Sequence, residues 1–398
     1  MKKFTLEKIG SLGERLGAWE LGGHAPISSP GLWLLTSTAG VPHLTPESLE
    51  LADLQRHFSG LLIPFEKHAR SVDVFEAFGK GFLAFSGLRK CPTLMTVLDP
   101  SLKMKSGYST GNSISVWGES NQRQPVDNDL FLKGVKAIDP DSFVALCDAD
   151  IPKDASGKKV NKLVKFNAES LNVCLDNNVG DKCVIAAIEG GYATKIREAC
   201  AKALATVPVD GYLLDGFHSN GDSALDINID HVVETLKEAV VPNISADKPR
   251  FFFGMCKPMT ILTLVQNGVD FFDTSYVYHI SELGLALTFN NLLDDEAAVT
   301  EEVPSKLEKN GAEEIGLLHV DLNNVQYKND FGPLHKGCSC YACRKHSRGY
   351  VNHLLATKEL LAGVLLVIHN LHHYGVFFHS IRKAIAEDRL GVLIENVK

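Results

Sequence analysis

The sequence lacks the features of a secreted or membrane-spanning protein. Its 398 residues contain no run of 18 uninterrupted apolar residues, which is about the length that a membrane-spanning helix requires. The first residues, Met1–Lys8, contain no apolar stretch of the kind found in a secretory signal. We therefore expect a cytoplasmic protein.

Positive charge is also scarce. The formal net charge is -8, whereas a protein that binds nucleic acid over its whole surface carries an excess of lysine and arginine. Any contact with RNA is thus expected to be confined to local patches or left mainly to a partner, and DNA is not expected as a ligand.

The cysteines do not form the pattern of a disulfide framework. The chain has nine of them, an odd number. Six are scattered singly, which in a reducing compartment indicates buried thiols. These six are Cys91, Cys147, Cys174, Cys183, Cys200 and Cys256.

The other three cysteines are crowded into one short stretch near the C-terminus. Cys338, Cys340 and Cys343 form a C-x-C-x-x-C motif. Three thiolates and one imidazole are the usual tetrahedral ligands of a structural zinc ion, so this motif predicts a zinc site. The alternative is three reduced thiols without a metal. Spacing alone leaves the fourth ligand open among several histidines, namely His346, His353, His369, His372 and His373.

The middle of the chain alternates between apolar runs of strand length and helical patterns. Continuous apolar strands that alternate with helices are typical of a parallel sheet covered by helices, and several such units in a row favour a (β/α) barrel. The runs are Phe143–Asp148, Cys183–Glu189, Gly211–Gly216, Arg250–Met255 and Val269–Asp273. Earlier in the chain, Trp33–Thr36, Gly81–Phe85 and Leu94–Leu98 also have the length and composition of strands.

Acidic or glycine residues follow each of the five central strands. In a barrel the carboxyl ends of the strands form the face that carries the active site, so these residues predict a pocket there. The residues are Asp148, Asp150, Glu189, Asp215, Gly254 and Asp273.

The C-terminal segment resembles the zinc subdomain of tRNA-guanine transglycosylases. That family follows its C-x-C-x-x-C motif with His-Asn-Leu, and this chain has His369-Asn370-Leu371 after an interval of 25 residues. The resemblance implies that His369 is the fourth ligand of a single structural zinc ion. It covers roughly residues 140–390 well and the first third of the chain weakly.

Members of this family are (β/α)8 barrels with the zinc subdomain appended near the C-terminus. They exchange guanine at the wobble position of certain tRNAs for a queuine-type base. The resemblance implies a barrel over residues 1–315 and a zinc-binding subdomain with C-terminal helices over 316–398. Within the first, residues 291–315 are acidic and without clear periodicity, which indicates an exposed insertion.

The catalytic pattern of the family is only partly kept. In that pattern one aspartate attacks the ribose anomeric carbon and a second acts as general acid and base. The nucleophile position is kept as Asp273, and Asp148 falls where catalytic members hold a base-recognising aspartate. Glu189 replaces a glutamine, the arginine after the nucleophile is missing, and the loop that bears the second aspartate is not found. We therefore expect no catalytic residue, with Asp148 and Glu189 as candidates for substrate binding.

The departures resemble the non-catalytic subunits of the eukaryotic enzymes, for example at Gly107-Tyr108, Gly211–Phe217 and Leu361–Leu366. This resemblance implies a heterodimer with a catalytic queuine tRNA-ribosyltransferase subunit, tRNA as the nucleic acid, and a homodimer when the partner is missing. It also implies peripheral contact with the mitochondrial outer membrane.

Two alternative functions stay open at this point. One is a self-sufficient transglycosylase, with Asp273 as nucleophile and Asp99 or Asp148 as acid and base. The other is an RNA-binding adaptor that is stabilised by a zinc ion and is unrelated to queuine.

Overall fold

The computed structural model describes most of the chain, and its residues divide into two compact units. The described residues are 3–105, 109, 112–118, 122–151, 156–177, 182–289, 292 and 318–397. The first unit comprises residues 1–41 and 59–275, and the second comprises residues 42–58 and 276–398.

The first unit is a closed barrel of eight parallel strands, which confirms the predicted (β/α)8 fold. The strands follow one another around the barrel in chain order, and the last pairs with the first. They are β4 (Gly31–Leu35), β5 (Gly60–Pro64), β6 (Thr93–Thr96), β9 (Ser142–Val144), β10 (Cys183–Ile188), β11 (Gly211–Leu214), β12 (Arg250–Phe251) and β13 (Phe271–Asp273).

A small antiparallel sheet precedes the barrel. It consists of β1 (Lys3–Ile9), β2 (Arg15–Glu20) and β3 (Ile27–Ser29). Trp19 is buried and its ring lies edge-on to Phe251, at 5.5 Å, and beside Phe271, at 5.9 Å. Both phenylalanines belong to short barrel strands that lead toward polar residues at their carboxyl ends. Arg15 of β2 lies 3.4 Å from Asp270, which directly precedes β13, and donates to the carbonyl of Ala246, which precedes β12. The small sheet therefore packs at the amino ends of these strands and leaves their carboxyl ends to form a site.

The connections between the barrel strands are mainly helices. They are α2 (Val72–Phe78), α3 (Gly81–Phe85), α4 (Asn128–Ile138), α5 (Gly157–Asp176), α6 (Thr194–Ala205), α7 (Ile229–Thr235) and α8 (Pro258–Gln266), and α9 (Ser275–Glu282) follows the last strand. A hairpin of β7 (Ile114–Trp117) and β8 (Arg123–Val126) lies between β6 and α4.

One predicted strand is wrong. Gly81–Phe85 forms helix α3, in which Phe82 and Phe85 lie one turn apart and both contact Phe75. A short apolar run does not by itself distinguish a strand from a helix, and here the packing of aromatic rings decides.

The second unit is built around one long helix. Its elements are α1 (Pro46–Leu51), β14 (Leu285–Leu287), β15 (His319–Asp321), α10 (Tyr341–Lys345), α11 (Arg348–Ala356), α12 (Leu360–Ala386) and α13 (Leu390–Val397). Helix α12 packs against β14, α10, α11 and α13, and 18 of its residues are buried. It is therefore the core of this unit.

Helix α12 is also the one described helix whose length and composition would allow it to cross a membrane. Of its most apolar 18-residue window, 72% is buried inside the protein. The core helix of a folded domain has the same character, so length and composition do not by themselves indicate a membrane segment. His369 and Asn370 interrupt the apolar run, which explains why the sequence contains no uninterrupted stretch of that length.

Two segments belong to a different compact unit from the domain in which they are predicted to lie. Residues 42–58 and 276–289 belong to the second unit, whereas the family resemblance implies that they belong to the barrel. The predicted boundary at 315 and 316 and most of the predicted acidic insertion, 291–315, lie outside the described residues. Gly107-Tyr108 also lies outside them. The predicted domain bounds stay a prediction.

Candidate metal centre and barrel pocket

The cysteine motif folds so that its backbone N–H groups face its own sulfur atoms. Cys340 caps the N-terminus of α10, and its Sγ accepts the backbone N–H of Cys343 at 3.3 Å. The N–H of Cys340 in turn lies 3.4 Å from the Sγ of Cys338. Hydrogen bonds among the thiols lower the pKa of Cys343 far below its ordinary value and raise that of Cys338.

His369 lies on α12 and completes the cluster. Its Nδ1 is 3.3 Å from the Sγ of Cys343, 3.5 Å from that of Cys340 and 4.0 Å from that of Cys338. A tetrahedral zinc ion, with Zn–S of about 2.3 Å and Zn–N of about 2.0 Å, separates sulfur and nitrogen ligands by about 3.5 Å. The four ligand atoms lie within 4.8 Å of one another. These residues therefore fit a tetrahedral metal ion.

The backbone of β14 fixes the orientation of the His369 ring. Nε2 lies 2.8 Å from the carbonyl oxygen of Leu287, and because that oxygen only accepts, Nε2 donates. The lone pair of Nδ1 is thereby left for the metal, which is the arrangement that tunes most histidine ligands. Asn370 holds the same strand, since its Oδ1 accepts the N–H of Leu287 at 2.8 Å and its Nδ2 donates to Leu285 and Ser281, both at 2.9 Å.

The other candidate histidines have different surroundings. His346 stacks on Tyr350 with ring centroids 5.2 Å apart, and His353 is exposed. His372 lies edge-on to His57, and His373 lies beside the ring of His369. None of the four belongs to the group of convergent ligand atoms.

Asp273, at the end of β13, is buried inside the first unit. Its Oδ2 accepts the N–H of Gly254 at 2.6 Å, and its Oδ1 accepts the N–H of Ser275 at 2.7 Å. Burial raises the pKa of this carboxyl to about 6, although both hydrogen bonds oppose the shift. The side chain is thus held by the backbone on both oxygens.

The carboxylate of Asp148, which follows β9, accepts a hydrogen bond within a local turn. Its Oδ1 accepts the N–H of Asp150 at 3.0 Å, and its own N–H donates to Asn167 at 2.7 Å. Burial raises its pKa. Lys159 lies 3.6 Å from the carboxylate of Asp150, so the turn also carries a nearby positive charge.

Asp99 has partners of its own. The Oδ1 of Asp99 accepts the N–H and the hydroxyl of Ser101, at 2.8 and 2.6 Å, and Lys67 lies 3.6 Å from Oδ2. Its negative charge is one of the causes that raise the pKa of Asp273.

Glu189, at the end of β10, has the most unusual surroundings. It is fully buried, and neither carboxylate oxygen has a hydrogen-bond partner among the residues that the structure describes. Burial raises its pKa well above the ordinary value, and the charge of Asp215 adds to the shift. Its oxygen lies in one group with the Sγ of Cys147 and a carboxylate oxygen of Asp215, a group that does not include Asp148 or Asp273.

Arg197 lies behind these strand ends and is fully buried on α6. Its three donor nitrogens bind the backbone carbonyls of Ile188, Gly191 and Asp215 at 2.6 to 2.9 Å. The guanidinium also lies 3.7 Å from the ring centroid of Phe217. No sequence pattern indicates this role, because Arg197 occupies an ordinary position in a helical pattern. No sequence pattern indicates that Cys147 lies beside Glu189 and Asp215 either. Glu189 and Asp215 directly follow their strands, and Cys147 immediately precedes Asp148 in the segment after β9.

Comparison with known proteins shows the family of this chain. A family model described as queuine tRNA-ribosyltransferase matches residues 11–398. The chain belongs to this family. Within the queuine tRNA-ribosyltransferase family, it is similar over its whole length to proteins named queuine tRNA-ribosyltransferase accessory subunit 2. The relative from Xenopus laevis is 34% identical and covers 100% of this chain and 99% of its own length. The human relative is 33% identical, with 99% and 98% covered, and that of Ixodes scapularis is 33% identical, with 96% and 94% covered.

Proposed function

We propose that this chain is the non-catalytic subunit of a heterodimeric queuine tRNA-ribosyltransferase, and that it supports the exchange of guanine for queuine at the wobble position of tRNA. The observation that carries the proposal is its full-length similarity to proteins named accessory subunit 2 of that enzyme.

The surroundings of the barrel carboxyls support a subunit without catalysis of its own. A double displacement needs a free nucleophile and a second group that protonates the departing base. Asp273 is 2% exposed and is bonded to the backbone through both oxygens. Asp99 and Asp148, the acid and base of the self-sufficient alternative, are bound by Ser101 and by a local turn. Loss of general acid and base help alone lowers a rate by about 10²–10⁴-fold.

We infer that the metal held by Cys338, Cys340, Cys343 and His369 is one zinc ion. Three thiolates and an imidazole in a closed tetrahedral arrangement are typical of structural zinc, since no position is left for water or substrate. When bound, zinc would supply binding free energy that folds the segment. The residues themselves join α10 to the core helix α12 and, through Leu287, to β14.

The partner proposed for this chain is the catalytic subunit, and the proposed substrate of the assembly is tRNA. A homodimer is the form proposed for the chain alone. We also propose a cytoplasmic location, which the six single cysteines support, since none of them is in a disulfide and reduced thiols persist in that compartment. Peripheral contact with the mitochondrial outer membrane extends this proposal and is tested by fractionating cells that express a tagged chain.

Base exchange with radiolabelled guanine tests the function. We expect no incorporation into tRNA by the purified chain, and incorporation when it is mixed with the catalytic subunit. Robust exchange by the isolated chain would instead support a self-sufficient enzyme. An unchanged rate on mixing, with no complex on gel filtration, would support an adaptor outside this reaction.

A further inference from the structure

Three potential metal ligands meet at the carboxyl ends of neighbouring barrel strands. The Sγ of Cys147 and one carboxylate oxygen each of Glu189 and Asp215 lie within 4.8 Å of one another. They follow β9, β10 and β11, which are adjacent in the barrel. The proposed function assigns no role to these three side chains.

The carboxylate of Glu189 receives no hydrogen bond in the part of the chain that the structure describes. Its side chain is fully buried. The carboxylate is packed tightly, because a Cβ added to Gly216 would lie 2.3 Å from its Oε2. An isolated charge in such a place is costly, and buried charges in proteins are accordingly paired or bound to metals.

Arg197 acts on Glu189 and Asp215 through its charge but donates no hydrogen bond to the Glu189 carboxylate. Its N–H groups are bonded to backbone carbonyls, including that of Asp215, and its planar group lies against Phe217. If both carboxyls and the Cys147 thiol were ionised, three negative charges would face this one positive charge. A divalent cation would balance the remaining two.

A small cavity lies beside two of these three ligands. It has a volume of about 30 Å³ and is lined by Cys147 and Asp215, together with Asn220 and Phe253. A volume of this size holds a water molecule, which would have polar neighbours here. Water is thus available as a fourth ligand.

We propose that Cys147, Glu189 and Asp215 bind a divalent, thiophilic cation, with zinc as the ion that suits this donor set and with water from the cavity as the fourth ligand. One sulfur and two carboxylate ligands exclude magnesium and calcium, which take oxygen ligands alone. Binding breaks the S–H bond of Cys147, and its proton leaves to solvent together with any proton on the carboxyl groups. The bound ion would join the ends of three strands.

Metal analysis of the full chain tests the proposal. The chain is expressed with zinc supplied, passed through gel filtration in dilute chelator, and its zinc-to-protein ratio is measured. We expect two zinc ions per chain, one in the cysteine motif and one here. Glu189→Gln, which keeps the shape of the side chain, should lower the ratio to one, as should Cys147→Ser. Cys183→Ser is the matched control, because Cys183 is a buried thiol at the start of β10 and lies outside the cluster, and it should retain two.

Cobalt substitution provides the second measurement. Refolding in Co²⁺ should give near-ultraviolet sulfur-to-cobalt absorption from four thiolates, and Cys147→Ser should remove about a quarter of it. A ratio of one zinc per wild-type chain would overturn the proposal. So would a ratio of two that persists in Glu189→Gln, a variant that decides the matter even if Cys147→Ser does not fold.

Discussion

His369 donates through Nε2 to the backbone carbonyl of Leu287, at 2.8 Å, and presents Nδ1 to three cysteine thiols. The two residues are 82 positions apart in the chain. This single bond therefore couples the metal centre to the strand that precedes it in the second unit.

Removal of one metal ligand should release the metal of the cysteine motif. Cys340→Ala and His369→Ala should each lower the zinc content by one ion per chain, because a three-ligand site loses much of the binding free energy that also folds the segment. His346→Ala is the control and should retain the ion, since His346 stacks on Tyr350 instead. Zinc that is unchanged in His369→Ala would contradict the assigned ligands.

Asn370 should affect both stability and metal binding. Asn370→Ala removes hydrogen bonds to Leu285, Leu287 and Ser281 inside the protein, and we expect the free energy of unfolding to fall by about 3 kcal/mol. Because β14 orients His369, zinc affinity should also fall about 10–100-fold. Urea unfolding and competition with a chromophoric chelator measure the two effects. Asn329→Ala, at an exposed asparagine of the same unit, should change neither.

Asp273 should make the free energy of unfolding decrease as the pH rises. Its pKa is 3.8 in the unfolded chain and about 6 in the folded one, so the folded state binds more protons between these values. The free energy of unfolding of the wild type is therefore expected to fall as pH rises from about 4 to about 6. A shift of this size corresponds to about 3 kcal/mol.

Asp273→Asn isolates this contribution. The stability of the variant minus that of the wild type should rise by about 2 kcal/mol between pH 4 and pH 7. It should then stay flat from pH 7 to pH 8, where the carboxyl is fully ionised in both states. Urea unfolding at each pH measures the difference, and a difference that is constant from pH 4 onward would contradict the raised pKa.

Arg197 should be indispensable as an arginine. Arg197→Lys keeps the charge, but an ammonium group does not reach three carbonyls in a fixed plane, so buried acceptors are left unpaired. We expect the free energy of unfolding to fall by about 3 kcal/mol. Lys195→Ala, at an exposed position of the same helix, is the control. A loss below about 1 kcal/mol in Arg197→Lys would mean that the strand ends do not need this side chain.

The barrel and the cysteine motif were accessible from sequence because each has a local signature. Cys183–Ile188 is buried along its whole length, and such a continuous apolar strand between helical patterns predicts a parallel sheet. The three cysteines lie within six residues, so their convergence needs no knowledge of the fold. The strand predicted at Gly81–Phe85 was wrong because its packing partner, Phe75, precedes the run and its pattern is too short to show a period.

The remaining features of the site depend on contacts between residues that are far apart in the sequence. Cys147 was interpreted as one of six single buried thiols, and only the adjacency of β9, β10 and β11 brings it to Glu189 and Asp215. The contact between His369 and Leu287 also joins distant segments. Neither has a spacing rule that a sequence alone could reveal.

The most direct test of the account asks which subunit carries out the chemistry. The complex of this chain with the catalytic subunit is reconstituted with Asp273→Asn in this chain, its assembly is checked by gel filtration, and guanine exchange into tRNA is measured. We predict the same exchange rate as with the wild-type chain. Loss of exchange in an assembled complex, matching the loss caused by replacing the nucleophile of the catalytic subunit, would contradict the account.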